Sequence, residues 1–306
     1  DGAFVKWGLR KTWDEDKHPR DHGKFAETEG GESSKESFRD KMARENHAKT
    51  KAAGYAVSDT IKTANKRAAS LGVPIVVTKP KEAAAAIVSA FKTNLEFMKT
   101  AAPSRYENWS RDSDFAEIEQ NWLRTLRARG HRENKAGFQD LDQNGLLSVQ
   151  NAININGENA LYQEIVKKGP PEQVLYARSE KGNGANGEHR GGLTFMYDTW
   201  LEAAADNDIE PGRAVAGGGN AGILRHEYAH GLFDTRLEES HRIEWRSLFH
   251  QNTDKVKTDV SGYAATNPEE FFCEVFTLRT HPKYDPAKFS TWFNMIGDKQ
   301  LEWLKR

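Results

Sequence analysis

The stretch from His226 to His230 reads HEYAH, and it decides how the rest of the chain is interpreted. On an α-helix, residues four apart lie on one face, one turn from each other, so both imidazoles of this stretch can bind one metal ion. Glu227 then lies beside the metal, which is where a general base for hydrolysis is needed. The stretch therefore predicts a zinc hydrolase helix.

The residues around HEYAH agree with a helix over positions 221–234. Apolar residues recur on the side opposite the histidines, so the helix is expected to pack on a core and present its imidazoles to a cleft. These apolar residues are Leu224, Tyr228 and Leu232. The preceding segment, Gly217 to Asn220, lacks the dinucleotide and Walker spacings and is interpreted as a loop and helix cap.

The third metal ligand decides the class of site, because a catalytic zinc needs three protein ligands and one open position. The metzincin signature places Gly and His where this chain has Phe233 and Arg236, so that class is excluded. Residues 268–280 predict a helix that is apolar nearly all round and therefore buried. Glu270 and Glu274 lie four apart on it, and buried carboxylates are costly unless they are paired or bind metal. We expect Glu270 to bind zinc and Glu274 to accept the Nδ1 hydrogen bond of a ligand histidine, with a pair of buried salt bridges as the alternative.

HEYAH and the later segment YAATNPEEFFCE resemble the gluzincin metallopeptidases related to anthrax lethal factor. The matching residues are His226, Glu227, His230, Tyr263, Thr266, Asn267, Glu270, Phe271, Phe272 and Glu274. The resemblance covers about residues 155–306 and is specific in these two motifs.

The resemblance implies a role for the central residues. Zn²⁺ would be bound by His226, His230 and Glu270. Glu227 would activate the attacking water, and Tyr263 would donate its phenol hydrogen to the developing oxyanion.

Asp234 follows the second histidine by four residues and matches a carboxylate found there in the same family. The resemblance implies that Asp234 does not bind the metal itself but contacts the residues that do. An ordinary aspartate at the C-terminal end of the helix is the equal alternative.

The chain as a whole is predicted to be α+β. Residues 155–306 form a zincin-like metallopeptidase domain with a small sheet, the active-site helix and a helical C-terminal part. Residues 54–154 form a mainly helical accessory region, and residues 1–53 form a polar, poorly packed segment. Strands are predicted at 74–78, 173–178 and 192–197, a Gly/Asn-rich loop at 181–192, and helices at 81–99, 113–129 and 199–206.

Composition limits the partners and the compartment. Forty-four basic and forty-five acidic residues leave a net charge of -1, so nucleic acid is not expected as a partner. No run is apolar enough to span a bilayer, and no membrane partner is expected. The single cysteine, Cys273, excludes an internal disulfide framework and a thiolate-rich zinc site. Because the sequence begins at Asp1, either a leader has been removed or the chain is a fragment.

Two short motifs stand apart from the site. The peptide WDEDKHPRDHGKFAE, residues 13–27, resembles a peptide of phage and prophage head proteins, and a solvated linker is the alternative. Residues 140–151 begin like a calcium loop, but the twelfth position is Asn151 where a bidentate carboxylate is needed. A simple Asx/Gly turn is therefore predicted there.

These observations predict a zinc metalloendopeptidase that acts on a protein or peptide substrate, with the strand at 193–197 as the edge along which the peptide lies. The alternative is a phage or prophage structural or interaction protein whose zincin-like domain is a scaffold or cleaves only itself. Virion association, secretion and injection are the compartments considered, and the oligomeric state stays open.

Overall fold

The computed structural model describes residues 61–73, 75–77, 83–104, 106–107, 143–169, 172–176, 187–190, 193–196, 211–212 and 219–306. All of these belong to one compact unit, residues 38–306. The predicted polar segment at 1–53, with its phage-like peptide, and the predicted helices at 113–129 and 199–206 lie outside the described residues.

The described residues are mostly helical. The longer helices are α1 (Ile61–Leu71), α2 (Ala83–Ala101), α3 (Gln143–Gly157), α4 (Ala160–Val166), α5 (Gly219–Thr235), α6 (Glu239–Gln251), α7 (Pro268–Arg279) and α8 (Thr291–Lys305). Between α6 and α7 the chain forms short helical turns at Thr253–Lys255, Val256–Val260 and Ala264–Thr266, and another turn, Pro286–Lys288, precedes α8. None of the helices described has both the length and the apolar character needed to cross a bilayer. The helices predicted at 81–99, 221–234 and 268–280 are confirmed as α2, α5 and α7.

One four-stranded mixed sheet accompanies the helices. Its strands are β1 (Ile75–Val77), β2 (Glu172–Tyr176), β3 (Gly187–Arg190) and β4 (Leu193–Met196), in the order β1-β2-β4-β3. β2 pairs in parallel with both β1 and β4, while β3 pairs antiparallel with β4. The three predicted strands are confirmed as β1, β2 and β4.

Two predictions about this sheet are wrong. β4 has a partner on each side, so it is not the edge along which a peptide can lie. Within the described part, β3 is the outer strand on that side, and it lies inside residues 181–192, which are predicted as a loop. β3 is defined by its backbone pairing with β4. Its sequence, Gly-Glu-His-Arg, does not alternate between apolar and polar residues, so the pattern by which a strand is usually predicted is missing.

Helix α3 corrects the predictions around residue 150. Gln143 to Asn151 are helical, so neither a calcium loop nor an Asx/Gly turn extends past position 143. The helix also runs through the predicted boundary at 154/155, and beyond it Asn156 accepts a hydrogen bond from Arg225 of α5 at 2.8 Å. β1 belongs to the predicted accessory region and pairs with β2 of the later half, so the two predicted regions share one sheet.

Helix α7 is the buried centre of the C-terminal half. Asn267 caps it by accepting hydrogen bonds from the backbone N–H groups of Glu269 and Glu270, each at 3.0 Å, and Pro268 occupies the first turn, where no hydrogen-bond donor is needed. Its apolar residues from Phe271 to Leu278 are fully buried, and each large side chain contributes about 1.5–3 kcal/mol. Trp245 of α6 stacks on Phe271 with ring centroids 4.5 Å apart. This packing fixes the face of α7 that meets α5.

Candidate metal centre

Helix α5 presents both histidines toward α7 and the intervening Glu227 toward Gly187. His226 and Glu227 are buried, with 3% and 6% of their surface exposed, while His230 is partly exposed. The apolar residues of the opposite side, Leu224, Tyr228 and Leu232, lie in the core as predicted. Because the His226 imidazole is buried, it needs polar partners within the protein.

The two histidines and Glu270 converge on one point. The Oε2 atom of Glu270 lies 3.1 Å from Nε2 of His226 and 3.5 Å from Nε2 of His230. Ligand atoms bound about 2.1 Å from a tetrahedral zinc lie about 3.4 Å from each other. The two distances from Glu270 to the histidines are therefore close to the spacing of zinc ligands.

Each histidine meets a second carboxylate at its other ring nitrogen. The Nδ1 atom of His226 lies 3.1 Å from Oε1 of Glu274, the residue predicted to support a ligand histidine. The Nδ1 atom of His230 lies 2.7 Å from Oε1 of Glu269, which the sequence analysis does not single out. Such carboxylates fix the tautomer and the ring orientation of metal-binding histidines. Both Nε2 atoms are thereby left to face Glu270.

Glu274 also connects His226 to the segment that carries Tyr263. Its Oε2 atom accepts a hydrogen bond from the Ser261 hydroxyl at 3.0 Å, and the same hydroxyl oxygen accepts one from the backbone N–H of Ala264 at 2.9 Å. These bonds hold the turn at Tyr263, whose ring centroid lies 5.9 Å from that of His226. Ser261 is a second residue that the sequence analysis misses.

Strand β3 lies close along α5 on the side of the predicted base. A Cβ atom at Gly187 would be 3.0 Å from Oε1 of Glu227, and one at Gly231 would be 3.0 Å from the ring of His189. Two residues along a strand span about 6.7 Å, and one helical turn rises about 5.4 Å, so one strand face can follow one helix face. His189, whose Nδ1 atom lies 3.4 Å from Oγ1 of Thr194, is thus brought beside the centre.

The histidines and carboxylates of the cluster stabilise each other's charged forms. Burial raises the pKa of Glu270, but the two histidines outweigh burial and hold this pKa well below its usual value. Burial lowers the pKa of His226, whereas Glu270 and Glu274 raise it to about 10. Without metal, the imidazoles thus keep protons that bridge the carboxylates. Burial also raises the pKa of the Glu227 carboxyl and of the Tyr263 phenol, so the phenol keeps the hydrogen that it would donate.

Asp234 lies at the end of α5 beside Arg242. Its Oδ1 atom is 3.3 Å from Nη1 of Arg242, and the same guanidinium nitrogen donates to the carbonyl oxygen of Phe233 at 2.9 Å. These contacts fasten the end of α5 to α6. A supporting role of Asp234 behind the ligands stays a prediction.

Cys273 belongs to the same cluster, although the sequence analysis gives it no role at the metal. Its Sγ atom and one ring nitrogen each of His226 and His230 lie within 4.8 Å of one another. The thiol is fully buried, and burial raises its pKa.

Comparisons with known proteins add no relative. The chain matches no protein-family model, no curated protein and no solved structure.

Glu274→Gln should weaken zinc binding by about 10–100-fold, the usual effect of losing a carboxylate behind a ligand histidine. The amide can still accept the Ser261 hydrogen bond, so the turn is kept while the negative charge beside His226 is lost. Competition with a zinc-binding dye measures the affinity. Glu302→Gln on the surface of α8 is the control and should leave it unchanged. Equal affinities for the two variants would contradict the role of Glu274.

Proposed function

We propose that this chain is a zinc-dependent metalloendopeptidase of the gluzincin type, with an α+β, zincin-like fold related to that of the lethal-factor-like enzymes. The observation that carries the proposal is the convergence of Nε2 of His226, Nε2 of His230 and Oε2 of Glu270 at 3.1 and 3.5 Å. Two further observations support the proposal. The Nδ1 atoms of the two histidines each contact a carboxylate, and Glu227, which follows the first histidine, is buried.

The proposed chemistry divides the work between the metal and the side chains. A zinc ion bound here would polarise the scissile carbonyl and lower the pKa of its water towards about 7. Glu227 would accept the proton of the attacking water and later pass it to the leaving amine. Tyr263 would donate a hydrogen bond to the carbonyl oxygen as negative charge develops on it. Glu269 and Glu274 would keep both imidazoles oriented throughout.

The outer edge of β3 is the proposed place for an extended peptide. Within the described part of the sheet, β3 pairs only with β4, and its Gly187 lies against Glu227. A peptide that adds to this edge would gain main-chain hydrogen bonds and would run past the predicted base. This proposal replaces the predicted edge at residues 193–197.

Metal content and cleavage of an unbiased peptide library test the proposal together. We expect about one zinc per chain, and we expect cleavage to stop with a chelator and return when zinc is added. A purified protein that takes up no zinc and loses no stability in chelator would instead favour the phage or prophage scaffold. Zinc uptake combined with cleavage of this chain alone would favour self-processing.

A further inference from the structure

Cys273 lies close to both histidines of the proposed metal centre. Cys273 is located one helical turn after Glu269 and Glu270 on α7, so it faces α5 at the level of the two histidines. It is 0% exposed.

Distances bring the sulfur within reach of the same metal. One nitrogen of His226, one nitrogen of His230 and Sγ of Cys273 all lie within 4.8 Å of one another. A nitrogen and a sulfur ligand of one tetrahedral zinc lie about 3.6 Å apart. The distance from Sγ to each histidine nitrogen therefore exceeds the separation in a zinc site by at most about 1.2 Å. A rotation about the Cα–Cβ bond of Cys273 can make up this difference.

We propose that Cys273 is a fourth protein ligand of this metal, binding through Sγ and closing the centre in a resting form of the protein. The inference rests on the proposed zinc centre and adds a donor to it. When the sulfur binds, the thiol proton leaves to solvent, because a metal-bound thiol is deprotonated. Zinc sites with four protein ligands are of the closed, structural type. The bond to Cys273 must therefore give way to water before a peptide can be cleaved.

A sulfur donor also changes which metals the centre prefers. Thiolate is a softer ligand than carboxylate or imidazole, and it favours zinc and other thiophilic ions over the harder Mg²⁺ and Mn²⁺. A ligand set of two imidazoles, one carboxylate and one thiolate should accordingly hold Zn²⁺, Co²⁺ and Cd²⁺ and reject Mg²⁺.

Cobalt substitution of the full chain tests this proposal without using activity. Co²⁺ in a four-coordinate site gives visible ligand-field absorption whether the fourth ligand is sulfur or water, and a cobalt–thiolate bond adds a charge-transfer band in the near ultraviolet. The chain has a single cysteine, so such a band can come only from Cys273. We expect both absorptions in the unaltered protein, and only the visible one in Cys273→Ala and Cys273→Ser.

The possible results separate the two proposals. Visible absorption without the thiolate band in the unaltered protein would overturn the ligand role of Cys273 and leave the three-ligand centre standing. Absence of any cobalt absorption would overturn both. As a control, His226→Ala should abolish the thiolate band together with tight binding, and a band that persists in this variant would mean that the cysteine binds cobalt on its own.

Discussion

Glu227→Gln is expected to lower kcat for peptide cleavage by about 10²–10⁴-fold, the usual contribution of a general base. The amide has nearly the same shape as the carboxylate and fits the same space against Gly187, but it cannot accept the proton of the attacking water. Because Glu227 is not one of the side chains that converge on the metal position, zinc content should stay at that of the unaltered protein.

Stopped cleavage assays on the best library peptide, with zinc measured in the same samples, check this result. Glu244→Gln is the matched control, since Glu244 is a half-exposed glutamate on α6 that pairs with Lys299. We expect this control to cleave normally. Cleavage by Glu227→Gln at the rate of the unaltered protein would show that the assigned base is wrong, whereas loss of zinc from this variant would assign Glu227 to metal binding.

Zinc should reverse the way in which stability depends on pH. The folded-state pKa of His226 is raised from 6.5 to about 10, so without metal its contribution is fully present below pH 6.5 and is lost as the pH rises towards 10. The pKa of Glu270 is lowered from 4.5, so its contribution is present above pH 4.5 and is lost in acid. The metal-free protein should therefore lose stability from this cluster between pH 6.5 and 10.

Zinc binding has the opposite dependence on pH because the metal displaces the protons held by the imidazoles. At pH 7.5 we expect the release of about two protons per zinc from the two ligand histidines, and of a third proton from the Cys273 thiol when the sulfur binds as proposed. Zinc affinity should then rise steeply with pH, and the stabilisation by zinc should grow over the range in which the metal-free protein weakens.

Calorimetry of zinc binding in buffers of different ionisation enthalpy measures the protons released, and thermal unfolding with zinc and with chelator gives the stability curves. His250→Gln, which changes an exposed histidine at the end of α6, should leave the proton count unchanged. His226→Gln should reduce both the count and the affinity. Release of no protons at pH 7.5 would contradict the charge state derived for the cluster.

The buried helix α7 shows how far the sequence alone can lead. Two glutamates four apart in an otherwise apolar helix must share one buried strip, and their burial needs compensation whatever the remaining fold is. This requirement follows from the sequence of α7 alone, and both glutamates indeed lie 3.1 Å from ring nitrogens of His226 on the partner helix.

Other parts of the site depend on how elements are arranged in space. Glu269 precedes Glu270 by one residue and stays partly exposed. Nothing in the sequence around it therefore indicates that it contacts His230. Which glutamate meets which ring nitrogen follows from the relative direction of α5 and α7, which no local pattern encodes. His189 escapes prediction for a similar reason, since β3 is defined by pairing with β4 and carries no apolar alternation.

The bridge from Glu274 through Ser261 to the turn at Tyr263 has a thermodynamic consequence. One carboxylate contacts both His226 and the hydroxyl that holds the turn at Tyr263, so in the proposed zinc centre the occupancy of the metal position and the order of that turn would be linked. Linkage is reciprocal, and a molecule that binds better to the ordered turn also strengthens the hold on the metal. In the proposed enzyme, a peptide that contacts Tyr263 would therefore slow the escape of the ion that its own cleavage requires.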